Sequence, residues 1–87
     1  MSDYELLEQA VLELVHGTER LPQRVKSIVG IINKIDCECM SFADKKNFEM
    51  IKSQVNADDL TDVGCYQVAN VLFGIFVHLC KGIRPVA

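Results

Sequence analysis

The stretch at residues 68–80, VANVLFGIFVHLC, decides how the rest of the chain can fold. Ten of its 13 residues are apolar, and only Asn70 and His78 are polar. Such a run is shorter than the roughly 18 residues that span a bilayer, so it favours a helix buried in a protein core. Because a helix that is apolar over most of its circumference needs neighbours on several sides, we expect the other helices to surround it. Four of its residues are predicted to be almost inaccessible: Leu72, Phe73, Phe76 and Val77.

The polar and small residues of this predicted helix fall on one side of it, namely Gln67, Asn70, Gly74, His78 and Lys81. One interpretation is that this side faces water. The other is that Asn70 and His78 flank a glycine at which another backbone approaches closely, which would make this side an interface. A catalytic role for His78 lacks support, because no Ser, Cys or carboxylate stands beside it at a helical spacing.

Helix caps and breakers divide the remaining chain. Ser2 and Glu5 form a capping box, Pro22 suits the first turn of a second helix, and Ser41 is a cap for a third. Gly82 is expected to end the last helix. The sequence therefore predicts an all-α single domain over 1–87, a compact four-helix bundle in which the C-terminal apolar helix is central. Its predicted parts are helices near 3–16, 22–36, 42–55 and 61–81 and an extended tail at 83–87.

Charge argues against several classes of partner. The net charge is −3 and the pI about 5.2, whereas binding to nucleic acid or to anionic membranes needs a clustered cationic face. Residues 1–19 carry acids without Lys or Arg, and residues 20–34 carry Lys and Arg without acids. We expect these two blocks to face each other in an antiparallel hairpin. Asp3 and Glu5 stand where a secretory leader would be basic, so a cytoplasmic location is expected.

The four cysteines, Cys37, Cys39, Cys65 and Cys80, are expected to be reduced and free of metal. The C-x-C spacing of Cys37 and Cys39 differs from the C-x2-4-C pairs of structural zinc sites. His78 and Cys80 would point away from each other on a helix. No metal or other cofactor is predicted, although a small metal- or redox-responsive protein that uses its cysteines stays as an alternative.

Catalytic motifs are absent from the sequence: it has no Gly-rich phosphate loop, H-E-x-x-H or G-x-S-x-G pattern, and we expect no enzyme. A DNA-binding regulator of the helix-turn-helix type is an alternative. The third helix would supply its basic residues, Lys45, Lys46 and Lys52, but Asp44 and Glu49 dilute them.

A non-catalytic protein-binding module is the main prediction, because the chain has more apolar residues than the predicted core faces need. It would act as a homodimer with a second copy, or as a regulator or inhibitor of another protein. Leu6 and Leu12 lie outside the core face of the first helix, and Leu12→Glu is expected to abolish association without unfolding the chain. The predicted interface residues are Leu6, Leu12, Met40, Phe42, Met50, Asn70, Gly74 and His78.

Overall fold

The computed structural model describes residues 2–38, 40–57 and 59–83, with only the backbone described for 81–83. It is 75% helical and has no strand among the described residues, which confirms the all-α class. The described helices are α1 (Asp3–His16), α2 (Leu21–Ser27), α3 (Val29–Ile32), α4 (Phe42–Val55) and α5 (Asp62–Ile83). The bounds predicted for the first and third helices are confirmed, and the caps explain why: the hydroxyl oxygens of Ser2 and Ser41 accept hydrogen bonds from the N–H groups of Glu5 and Asp44.

The helix predicted over 22–36 is instead two short helices, α2 and α3, which meet at Ile28. Here the backbone leaves the α-helical path, with φ −98° and ψ 0°. The hydroxyl of Ser27 donates a hydrogen bond to the Arg24 carbonyl at 2.7 Å, a contact that bends helices. The residues that follow are β-branched or glycine, which weakens their preference for a continuous helix.

Helix α5 packs against α1, α2 and α4, yet these neighbours cover only one side of it. Its buried apolar side chains are Cys65, Val68, Ala69, Leu72 and Ile75. Leu72 is fully buried as predicted, but Phe73 and Phe76 are half-buried and Val77 is 46% exposed. The prediction that this helix is surrounded is therefore wrong. The shorter α1 contributes five buried apolar side chains, as many as the described part of α5.

The ends of α5 lie close to the predicted positions. The Thr61 hydroxyl accepts a hydrogen bond from the Gly64 N–H at 3.0 Å, which caps the first turn. The helix continues through Gly82 to Ile83, so the predicted stop at Gly82 is wrong. A glycine inside a helix weakens it by about 1 kcal/mol but does not end it. The rest of the predicted tail, 84–87, lies outside the described residues.

Helices α1 and α2 form the predicted hairpin, but it is held by packing and backbone contacts instead of by paired charges. The Arg24 guanidinium donates to the Leu14 carbonyl at the end of α1. A Cβ on Gly17 would lie 2.5 Å from Arg24 Cδ, so the glycine makes room for this side chain. Among the described residues, the glutamates of 1–19 form no ion pair with the Arg and Lys residues of 20–34. The two charge blocks therefore lie on neighbouring helices, but these glutamates do not pair with the Arg and Lys residues.

The loop after α3 is fixed to the start of α1 through one carboxylate. The two oxygens of Asp3 accept hydrogen bonds from the N–H groups of Asp36, at 3.0 Å, and Glu38, at 3.2 Å. Between these residues, Cys37 has a left-handed backbone conformation with φ 67°, which is unfavourable for any residue other than glycine. The Asp3 carboxylate therefore holds a strained residue in place.

Asp3→Ala is expected to lower the free energy of unfolding by about 1–2 kcal/mol, because two hydrogen bonds to a charged acceptor are lost. Urea denaturation measures the change. Glu38→Ala is the matched control, since it removes an exposed carboxylate from the same loop and keeps the backbone N–H. Equal losses in the two variants would show that the loop does not depend on Asp3.

Candidate protein interface

The eight predicted interface residues do not form one surface. Leu12, Phe42, Met50, Asn70 and His78 are exposed, and Gly74 is partly exposed. Leu6 and Met40 are buried in the core, Leu6 with 7% exposure, so placing them on the outside is corrected. Leu6 lies on α1, against which α3 packs, and it lines a hollow together with Ile31 of α3. Val15, near the end of α1, is exposed as well.

The glycine in α5 does not mark a close helix crossing. A Cβ placed on Gly74 would meet nothing within 4 Å, so no backbone approaches this position in the described structure. Asn70 and His78 therefore do not flank a packed glycine. The space above Gly74 is open, and it lies beside exposed side chains of the same helix.

The largest exposed apolar surface on a single helix lies along α5. We define its outer face as Val63, Tyr66, Asn70, Phe73 and Val77, which fall within an arc of roughly 80° at about 100° per residue. Val63 is 67% exposed and Tyr66 63%; Asn70 is exposed as well, and Phe73 is half-buried. The sequence-based reasoning missed this face because it assigned Phe73 and Val77 to the core. The signal was present in the alternating spacing of three and four residues.

Helix α1 borders one edge of the outer face. The Tyr4 ring stacks on Phe76, with 5.5 Å between the ring centroids and 21° between the planes. The Tyr4 hydroxyl lies 3.6 Å from Cys80 Sγ, and this hydrogen bond raises the pKa of Tyr4. These contacts cover the side of α5 next to Phe73 and leave Phe73 itself half-buried.

Helix α4 borders the opposite edge through polar contacts. The Gln54 amide donates to the Gln67 side-chain oxygen at 3.3 Å. Farther along, His78 Nδ1 lies 2.9 Å and 3.1 Å from the two carboxylate oxygens of Asp44. The helices run antiparallel, since residues 44 and 54 of α4 meet residues 78 and 67 of α5. Gln67 and His78, from the polar side of α5, are thus exposed to water and also contact α4.

The Asp44–His78 pair is the closest approach to catalytic chemistry in the described structure. Asp44 is the one buried charged side chain among the described residues, and the His78 side chain is 61% exposed. A carboxylate that orients an imidazole is two thirds of a nucleophilic triad. Within the described residues, no Ser, Thr or Cys side chain is hydrogen-bonded to the imidazole. The pair joins the C-terminal half of α5 to the start of α4.

The described cysteines Cys37, Cys65 and Cys80 are free thiols, and Cys39 lies outside the described residues. Burial raises the pKa of Cys37 and of Cys65, which keeps both thiols protonated at neutral pH. In the described part of the chain, no group of three or more His, Cys, Asp or Glu side chains is placed to hold a metal ion.

A groove on the other side of the molecule, between α1 and the α2–α3 arm, is the competing surface. Its larger part has a volume of about 540 Å³ and is lined by Gln9, Leu12, Glu13, His16, Ser27 and Ile31. Ile31 and Gln9 also line an adjoining hollow of about 370 Å³. Four of the six residues that line the larger part have polar or charged side chains, although most of the exposed lining there is apolar, whereas the outer face of α5 has one polar residue among five.

Helix α5 is long and apolar enough to cross a membrane over Asp62–Cys80, where its mean hydropathy is 1.6. A third of that segment is buried in the fold. A core helix of a soluble protein meets the same criteria, so this property alone assigns no membrane.

No family model, curated protein or solved structure matches the chain.

His78→Ala is expected to destabilise the chain by about 1 kcal/mol, because it leaves the buried Asp44 carboxylate without its partner while the exposed imidazole limits the loss. Thermal and urea unfolding measure it, and Asn47→Ala on an exposed face of α4 is the control. Adding Asp44→Asn should then cost less in the His78→Ala background than in the wild type. Additive effects would mean that the two side chains do not interact.

Alkylation with iodoacetamide tests the thiols. Cys80 is expected to react faster than Cys37 and Cys65 at neutral pH, with peptide mapping as the readout, because burial disfavours both access and the thiolate. Equal labelling of all three cysteines in the folded protein would contradict this expectation.

The raised pKa values of Cys37 and Cys65 also predict how stability depends on pH. The stability contributed by these protonated thiols is complete below about pH 8.5 and is lost as pH rises through the folded-state pKa values.

Proposed function

We propose that the chain is a non-catalytic protein-binding module whose binding surface is the outer face of α5. The observation that carries the proposal is the set of four large apolar side chains, Val63, Tyr66, Phe73 and Val77, on one exposed or half-exposed side of a single helix. Isolated exposed apolar residues are ordinary, but a row of them along about 21 Å of helix is typical of a surface that a partner covers.

The chemistry of this face suits a protein partner better than a nucleic acid. Between Asp62 and Lys81, α5 contains no Asp, Glu, Lys or Arg. Phosphate backbones need cations, which this face does not offer. Aromatic side chains enclosed by polar positions are the usual composition of the centre of a protein interface, and Tyr66 and Phe73 supply them.

The same proposal includes the finer architecture and the setting. If α2 and α3 are counted together as one bent helix, the chain is a four-helix bundle made of α1, the bent helix, α4 and α5. One side of α5 faces outward from this bundle. We propose that it works in the cytoplasm as a dimer or as a regulator of another protein. The lysines of α4 and the cysteines do not by themselves favour the DNA-binding or redox alternatives.

Val77→Glu is expected to abolish binding. Leu12→Glu, which the sequence-based prediction expected to abolish association, is now expected to preserve it, because Leu12 lies outside the outer face of α5. The two side chains are a matched pair, since both are apolar and 46% exposed, but Leu12 lines the groove beside α3. The chain and its variants are immobilised and exposed to native lysate together with a differently tagged copy of the chain. Retained proteins are quantified by mass spectrometry, and circular dichroism confirms that each variant is folded.

Retention by wild type and Leu12→Glu but not by Val77→Glu supports the outer face of α5. The reverse result would move the binding surface to the groove between α1 and α3. If wild type retains neither a protein nor the tagged copy, the chain is not a protein-binding module under these conditions and the proposal fails.

A further inference from the structure

We infer that the partner of the outer face is a second copy of this chain, with the two α5 helices parallel and related by a two-fold axis along them. This inference rests on the proposed function and specifies it. The outer face continues to Cys80 with apolar or amide residues at successive spacings of 3, 4, 3, 4 and 3, which is the a/d pattern of two helices that pack along a seam. A helix carrying this pattern is complementary to itself.

The a positions of this pattern favour a parallel pair. They are Val63, Asn70 and Val77, and β-branched residues at a with a single central Asn are characteristic of two-stranded parallel packing. In a parallel pair Asn70 lies opposite its own equivalent, so each amide can donate to and accept from the other. In an antiparallel pair an a position faces a d position, and Asn70 would meet an aromatic ring. Only the parallel order gives this amide an equivalent partner.

The arrangement of the flanking helices gives the same orientation. Tyr4 on Phe76 places the start of α1 at one edge of the outer face, and Asp44 on His78 places the start of α4 at the other edge and at the same level. A two-fold axis parallel to α5 sets α1 of one copy beside α4 of the other. An axis perpendicular to α5 would instead set α1 beside α1 and α4 beside α4.

Charge makes the first of these arrangements favourable. Helix α1 contains Asp and Glu but no Lys or Arg, whereas α4 has three lysines against Glu49 and the already paired Asp44. The parallel dimer therefore places an acidic helix beside a lysine-bearing one on both sides of the seam. The antiparallel dimer would oppose like charges on both sides. The seam itself is free of Asp, Glu, Lys and Arg over residues 63–80, so a second copy meets no buried charge there.

The test uses the purified full chain alone, which separates it from the test of the proposed function. Sedimentation velocity and light scattering from micromolar to near-millimolar concentration should show a wild-type dimer and a Leu12→Glu dimer. Val77→Glu should be a folded monomer, because a carboxylate that enters an apolar seam raises the dimer dissociation constant by more than about a hundredfold. A wild-type monomer at every concentration overturns the inference, while the lysate experiment still decides whether the outer face binds another protein.

Orientation is tested by disulfide formation in Val63→Cys and Val77→Cys, with the linked peptides assigned by mass spectrometry. In the parallel dimer each variant links to its own equivalent, because a positions face each other. In an antiparallel dimer that uses the whole seam neither does so, because an a position then faces a d position: Val63→Cys would link to the native Cys80 of the other copy, and Val77→Cys would meet Tyr66. Self-linkage of both variants supports the inference, and linkage of Val63→Cys to Cys80 without self-linkage of either variant overturns the parallel arrangement. Wild type treated in the same way identifies any linkage through the native cysteines.

Discussion

The mismatch between the apolar circumference of α5 and the surface that its neighbours can cover governs this structure. A helix of 22 residues is about 33 Å long, and α1 and α4, with 14 residues each, are about 21 Å long. Together with α2 they bury one side of α5, where Val68, Leu72 and Ile75 are almost inaccessible. Among the described residues, no further element covers the opposite side. Exposing this apolar surface to water costs free energy, and a partner that covers it would remove that cost.

Local signals in the sequence predicted the elements that depend on local contacts. The Ser2 and Ser41 caps gave the starts of α1 and α4 because a hydroxyl two or three residues from a helical N–H acts within one turn. Local signals were less reliable where two of them compete. Ser27 and the β-branched residues around Ile28 oppose a helix that the apolar periodicity favours, and the backbone divides there. Gly82 was predicted to end α5, but a glycine only weakens a helix, and α5 continues to Ile83.

The contacts that frame the candidate site could not be read from local sequence. Asp44 and His78 are 34 residues apart, and they meet only because α4 and α5 run antiparallel in one particular register. Asp3 reaches the loop around Cys37 by a similarly long connection. The burial of Val77 was mispredicted for a related reason. Periodicity shows that a residue is apolar and on which face of its helix it lies, but not whether the fold has enough helices to cover that face.

Asn70 distinguishes an apolar face that the fold merely leaves uncovered from one whose residues specify how a partner helix aligns with it. If the outer face of α5 were only surface that the fold failed to cover, polar residues could stand anywhere along it at no loss, and several would reduce the risk of aggregation. Instead, the row from Val63 to Val77 holds one amide at its centre, with apolar or aromatic residues on both sides. A single buried amide lowers the stability of a seam, but it penalises every register in which it has no polar partner. A face built in this way favours one alignment over the others, and the alignment that satisfies Asn70 with its own equivalent also places the acidic α1 beside the lysines of α4.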